Sequence, residues 1–124
     1  MSLGVLIMII KKENRIFEVK NNLKDGDGSI AFTSIALKNQ TYDKIKMYST
    51  LLLKKNDSIG YHTHNGEKEI MLINKGKGLY KDDGLETTVY SGDVTICEEG
   101  HFHGIKNESD EDLEIIAMII EKNA

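Results

Sequence analysis

The chain has 124 residues, of which 40% are hydrophobic and 29% charged, with a formal net charge of −4. That fits one domain, which at this size buries about two-thirds of the surface its unfolded chain exposes. Acidic and basic residues are intermixed, so no basic stripe marks a phosphate backbone or an anionic membrane surface as a partner, and neither nucleic acid nor membrane is expected.

The chain begins with an apolar run over residues 3–10. It is too short to span a bilayer, which takes about 20 residues, and its charges Lys11 and Lys12 follow the run, so neither a signal peptide nor an anchor is expected. Residues 7–10 and 15–18 read as short strands and residues 29–37 as a longer one. Proline is absent, so turns are read from Gly, Asn and Asp: Asp25-Gly26-Asp27-Gly28, Asn56-Asp57, Asn65-Gly66, Asp82-Asp83-Gly84, Ser91-Gly92 and Ser109-Asp110. Between them, residues 47–53, 69–73, 87–90, 94–97 and 113–120 are rich in β-branched and aromatic side chains and read as strands. Asp83-Gly84, set between Gly78-Leu79-Tyr80 and Glu86-Thr87-Thr88-Val89-Tyr90, predicts a hairpin. The periodicity of residues 113–120 also admits a buried helix, but the isoleucines and the preceding turn favour a strand.

Many short strands with short turns imply an all-β sandwich or barrel in one domain. Met47, Leu51 and Leu53 are interior candidates, and Phe102 suits either the core or a site rim. Cys97, the single cysteine, reads as a small buried hydrophobe, and its use suits a reducing cytoplasm.

The chemistry concentrates in His62-Thr63-His64, Glu69 and Gly100-His101-Phe102-His103, with Asn107 beyond. On a strand, residues two apart share a face, so His62 and His64 can present both imidazoles to one cavity. Glu69 lies across the Asn65-Gly66 turn, where a hairpin return would bring a carboxylate beside them, and His103 would add a third nitrogen from a separate hairpin. Three imidazoles and a carboxylate suit a divalent transition metal (manganese, iron, nickel, cobalt or zinc) and leave about two positions open on an octahedral ion. His101 is a rival to His103, although it falls in the turn after Gly100. Tyr61, Glu67 and Glu98 are candidate proton donors or acceptors, each read first as an exposed side chain. The acids at 108–112 and Asp82-Asp83 lack the alternating oxygen ligands of a calcium loop and read as solvated turns.

These spacings resemble the two motifs of the cupin superfamily. The first reads Gly60-Tyr61-His62-Thr63-His64, four residues, Glu69, six residues, Gly76; the second reads Gly92, five residues, Glu98-Glu99-Gly100, two residues, His103, three residues, Asn107. Two departures are present: Glu98 stands where the family has a proline, and Gly60 is closer to the histidines than the family glycine often is. The likeness covers about residues 47–120 and implies a double-stranded β-helix, the jelly-roll barrel, with His62, His64, Glu69 and His103 as metal ligands and Gly76, Gly92 and Gly100 at turns.

The resemblance divides the single domain, 1–124, into N-terminal strands over 1–45 and a barrel over 46–120. Small cupins are often dimers in which N-terminal strands pack on the partner, so the apolar start from Val5 to Ile10 is a candidate dimer contact and a homodimer is expected. Two functional classes follow: the preferred one is a metalloenzyme acting on a small oxygen-bearing molecule, of dioxygenase, decarboxylase or isomerase type, and the alternative is a non-catalytic module holding a sugar or organic acid through the ion. No catalytic residue is assigned.

Overall fold

The computed structural model describes residues 9–122 and is all-β, as expected. The described residues form ten strands: β1 (Phe17–Asn21), β2 (Ser29–Ser34), β3 (Ile45–Leu53), β4 (Ser58–Thr63), β5 (Glu67–Lys75), β6 (Lys77–Asp82), β7 (Leu85–Tyr90), β8 (Val94–Cys97), β9 (Phe102–Lys106) and β10 (Leu113–Glu121). They pair into a six-stranded sheet, in the order β1-β2-β3-β10-β5-β8, and a four-stranded sheet, β4-β9-β6-β7. All the pairings are antiparallel. Together the sheets make the double-stranded β-helix that the motif spacing implies.

Period-two alternation decides what enters the barrel. On β5 the inward residues are Glu69, Met71 and Ile73, on β3 Ser49, Leu51 and Leu53, and on β9 His103 and Ile105, all buried. On β5 and β9 the series runs from a polar residue at one end of the barrel to an aliphatic one at the other, and on β3 Ser49 lies between Leu51 and Met47, which is partly buried against the core. The aliphatic end closes over Leu53, Ile73, Leu113 and Ile115, none of which retains more than a trace of exposure. Asn107, fully buried beyond β9, donates from Nδ2 to the carbonyls of Leu53 (2.9 Å) and Glu111 (2.7 Å) and accepts from Ser109 N–H (3.0 Å). It therefore staples the connection to β10 at the end of the barrel away from the histidines.

The turn signals hold. The β6–β7 hairpin closes on Asp83 and Gly84, both at positive φ as a two-residue loop requires. Gly76 also lies at positive φ, between β5 and β6. Residues 113–120 form a strand paired on both sides, which removes the helical alternative.

Several boundaries differ from expectation. The strand expected at 15–18 is displaced to Phe17–Asn21, because Arg15 leaves the strand path to bond the carbonyls of Ser34 and Thr33 and the Thr50 hydroxyl. The strand expected over 29–37 ends at Ser34. Most of the expected strand at 7–10 lies outside the described residues; Ile9 and Ile10 are exposed and not in a strand. Strands β4 and β9 were not marked by composition at all, since histidine and glycine interrupt their apolar residues.

Removing bulk from the closed end should cost the usual cavity penalty. Ile73→Ala is expected to lower stability by about 2–5 kcal/mol in urea unfolding. Leu85→Ser, at a hairpin position 75% exposed, should stay within about 0.5 kcal/mol of the parent protein.

Candidate metal centre

Three strands and one turn deliver the four side chains. His62 on β4 pairs across the ladder with His103 on β9, after a register shift between Ile59 and His62. Glu69 comes from β5. His64 lies just past the end of β4, at the start of the Asn65-Gly66 turn, where its carbonyl accepts the Gly100 N–H at 3.0 Å. The two motif histidines thus converge as expected, but only His62 does so from within the strand.

The four ligand-type atoms all lie within 4.8 Å of one another. His64 Nε2 is 3.2 Å from His62 Nε2, 3.1 Å from His103 Nε2 and 3.1 Å from Glu69 Oε1, and His103 Nε2 is 3.0 Å from the same oxygen. Three imidazole nitrogens and one carboxylate oxygen held this close together would suit a single divalent transition-metal ion.

The orientation of the rings fits as well. Each Nδ1 is engaged on the far side: His62 with the Gly60 carbonyl at 2.6 Å, His64 with Glu67 Oε2 at 2.6 Å, and His103 with the Tyr80 hydroxyl at 2.9 Å. These contacts turn every Nε2 toward the common point and favour the tautomer whose Nε2 lone pair is free. Lys46 Nζ, 3.0 Å from Glu67 Oε1, holds that carboxylate in turn.

The electrostatics follow from burial and proximity. Burial pushes the Glu69 carboxyl up, but the close approach of the His103 and His64 rings outweighs it and holds the group at about 2, so Glu69 stays anionic. Loss of solvent lowers the His62 imidazole, against the contact to the Gly60 carbonyl. His64 is raised, first by its hydrogen bond to Glu69 and then, against burial, by Glu67. Burial raises the Tyr80 phenol, which stays neutral, so its oxygen can accept from His103 Nδ1–H.

The remaining candidates take other places. His101 is exposed and bound through Nδ1 to Asp83, away from the four. Glu98 forms an exposed ion pair with Lys68, and Tyr61 stacks on Phe102 with ring centroids 5.4 Å apart, both largely in solvent. Cys97 is buried, and burial pushes its thiol up to about 11, as suits an inert packing residue. Glu67 is the correction: its side chain is only 12% exposed, because the His64 contact draws it inward. Tyr80 was missed. Its signal was its inward parity on β6, two residues after Gly78, in register with Ile105 beside His103.

A cavity of about 410 Å³ opens beside the cluster, with His62, His64, Glu67 and Glu69 on one wall and Phe32, Leu51 and Ile59 on another. His103 and Tyr80 stand behind it. Residues of β1, β2 and β3 line the rest of the cavity, among them Glu18, Lys20, Phe32, Ser49 and Leu51.

Comparison with known proteins agrees with this arrangement. The family model described as Cupin domain matches residues 49–119. An "Oxalate-binding protein" of Thermotoga maritima is 30% identical over 113 residues, spanning 91% of this chain and 93% of the relative. The crystal structure of a predicted oxalate decarboxylase from Thermotoga maritima superposes with a TM-score of 0.87 at 30% identity, covering 92% of this chain and 99% of that one. KdgF from Halomonas sp. shares the fold alone, with a TM-score of 0.70 at 13% identity over 91% of this chain and 94% of that one. With its barrel, its two spaced motifs and these matches, the chain belongs to the cupin family.

Proposed function

We propose that the chain binds a divalent transition metal through His62, His64, Glu69 and His103 and uses it to hold a small oxygen-bearing acid. The observation that carries this reading is the convergence of three Nε2 atoms and one carboxylate oxygen, with every Nδ1 engaged from behind. Manganese, iron, cobalt, nickel and zinc all accept such a donor set. The ion, when bound, supplies a Lewis-acid centre with room for two further oxygen donors. The Thermotoga relative named for oxalate, whose two carboxylates can chelate, supports an organic acid as the ligand class.

The chain's own residues do the rest. Glu69 supplies the negative charge that favours a dication over three neutral imidazoles. The apolar wall of Phe32, Leu51 and Ile59 limits water around the bound acid. We favour binding over turnover because Glu67, the carboxylate in contact with the cluster, is already held by His64 and Lys46.

A homodimer in the cytoplasm is part of the same proposal. It is supported by β1, which pairs only with β2 among the described residues and leaves Ile16, Phe17 and Val19 exposed beside Ile9 and Ile10. No helix of the described residues is long and apolar enough to cross a membrane. Light scattering at micromolar concentration should return twice the mass of one chain; a monomer mass would remove this part.

Elemental analysis of the purified protein should find about one transition-metal equivalent per chain, lost in the His62→Ala, His64→Ala double variant while the circular dichroism of the barrel is retained. Retention of stoichiometric metal by that variant would refute the ligand assignment. Glu67→Gln should keep the stoichiometry but weaken metal affinity about 10- to 100-fold, because the His64 ring loses its charged outer partner.

Metal affinity should also fall as pH is lowered. Protons compete for the imidazoles, and because the His64 value is raised, its protonation starts above the ordinary imidazole value of about 6.5. Titration with manganese from about pH 8 to about pH 5 should show the decline; a flat profile would contradict it.

A further inference from the structure

The cavity is larger than the smallest chelating acid needs. Its 410 Å³ corresponds by liquid volume to roughly a dozen waters at about 30 Å³ each, whereas oxalate is two joined carboxylates with no chain between them. An acid that chelates at the histidine end therefore has space to extend along the apolar wall formed by Leu23, Phe32 and Leu51.

Four lysines line the same cavity: Lys20, Lys24, Lys38 and Lys46. Three are engaged. Lys46 is held by Glu67 at 3.0 Å, and Lys38 by Glu121 at 2.7 Å. Lys20 lies 3.8 Å from Glu18 and 4.4 Å from the centroid of the Phe32 ring. Among the described residues Lys24 forms no ion pair.

The backbone around Lys24 is an independent sign that its position matters. Asn22, Lys24 and Asp25 all lie at positive φ, at 49°, 54° and 63°. Asn and Asp tolerate that region; a lysine there is held against its preference. The turn is locked onto β4, the strand that carries His62. The Lys24 carbonyl oxygen sits 1.9 Å from where a Cβ on Gly60 would be, and a Cβ on Gly26 would lie 2.2 Å from the Ser58 carbonyl oxygen, so only glycines allow the approach. Asp27 and Ser58 complete the contact, with Asp27 N–H donating to Ser58 Oγ at 2.8 Å and Ser58 N–H to the Asp27 carbonyl at 2.9 Å. A strained turn, seated two residues from a cluster histidine, thus fixes the backbone of Lys24, exposed and without an ion pair among the described residues, at the cavity wall.

We infer that Lys24 is a specificity-determining residue that receives the distal anionic group of a chelating acid longer than oxalate, a 2-oxo or 2-hydroxy dicarboxylate whose chain lies along Leu23 and Phe32. The inference rests on the metal-dependent acid binding proposed above. It assigns two ends to the ligand: adjacent oxygens toward His62, His64 and Glu69, and a carboxylate toward Lys24.

The test is calorimetry on the manganese-loaded full chain with three acids: oxalate, 2-oxoadipate and 2-oxohexanoate. The last two have the same length and chelating end and differ in having a carboxylate or a methyl group at the far end. The expected result is metal-dependent binding with 2-oxoadipate about tenfold tighter than 2-oxohexanoate. Lys24→Asn, which suits positive φ and removes the cation, should abolish that preference and leave oxalate affinity unchanged. Lys24→Arg should keep the preference. Equal affinity of the two long acids, a preference that survives Lys24→Asn, or a Lys24→Asn loss shared equally by oxalate would each overturn the inference while leaving the proposed function standing. Failure of all three acids to bind the manganese-loaded protein would overturn both.

Discussion

The open end of the barrel depends on three hydrogen bonds made on the outside of the histidine rings. An imidazole inside a barrel can turn either nitrogen inward, and three rings with mixed orientations would not define a point. Here a backbone carbonyl, a carboxylate and a phenol each take one Nδ1, at 2.6 to 2.9 Å. The partners differ in strength and kind. Gly60 supplies a fixed dipole, Glu67 a charge backed by Lys46, and Tyr80 a hydroxyl that can donate or accept. The ring with the charged partner, His64, is the one nearest to all three other members of the cluster, and the one delivered by a turn instead of a strand. It has the least backbone restraint and receives the strongest outer contact.

The same strands that carry the site carry the core, and period-two geometry lets them do both. Moving two residues along β5 passes from Glu69 to Met71, and along β9 from His103 to Ile105. The buried polar residues are therefore anchored one pleat away from close-packed aliphatic ones. Burying Glu69 away from water is costly, and the close approach of the His64 and His103 rings offsets that cost. The closed end supplies the cohesion: Ile73, Leu113 and Ile115 need no polar partner, and Asn107, the polar residue there, has its amide nitrogen and oxygen both engaged.

Much of this was legible in the sequence, for reasons that differ by residue. Strands β3, β5, β7, β8 and β10 announce themselves because β-branched and aromatic side chains suit a pleated backbone, and the hairpin at Asp83-Gly84 because positive φ favours those residue types. The four clustered residues were visible because their spacing resembles the cupin motifs, which implies that Glu69 and His103 return to the point where His62 and His64 converge. Strands β4 and β9 were hidden by the same chemistry, because histidine at inward positions erases the apolar alternation that identifies a strand. Glu67 and Tyr80 were illegible for a different reason. Their roles are set by pairings across strands and turns, and a carboxylate three residues from a histidine looks the same in sequence whether it faces solvent or the ring.

The motifs and the remainder of the chain answer separate questions. The motif residues lie between Gly60 and Asn107 and fix which atoms meet. The cavity those atoms face is walled largely by residues before them: Leu23 and Lys24 from a strained turn, Phe32 from β2, and Leu51 from β3. These positions obey no spacing rule shared with the cluster, because they have only to surround a ligand, not to coordinate a point. Two barrels could thus keep the same four side chains and differ entirely in what they hold. In this chain the contact of Gly26 and Gly60 with each other's backbone neighbours links the two parts, since it ties the turn that shapes the cavity to the strand that carries His62. A side chain at either glycine would push the turn away from β4, and the cavity wall would move while the core at the far end, built from Leu53, Ile73 and Leu113, stayed in place.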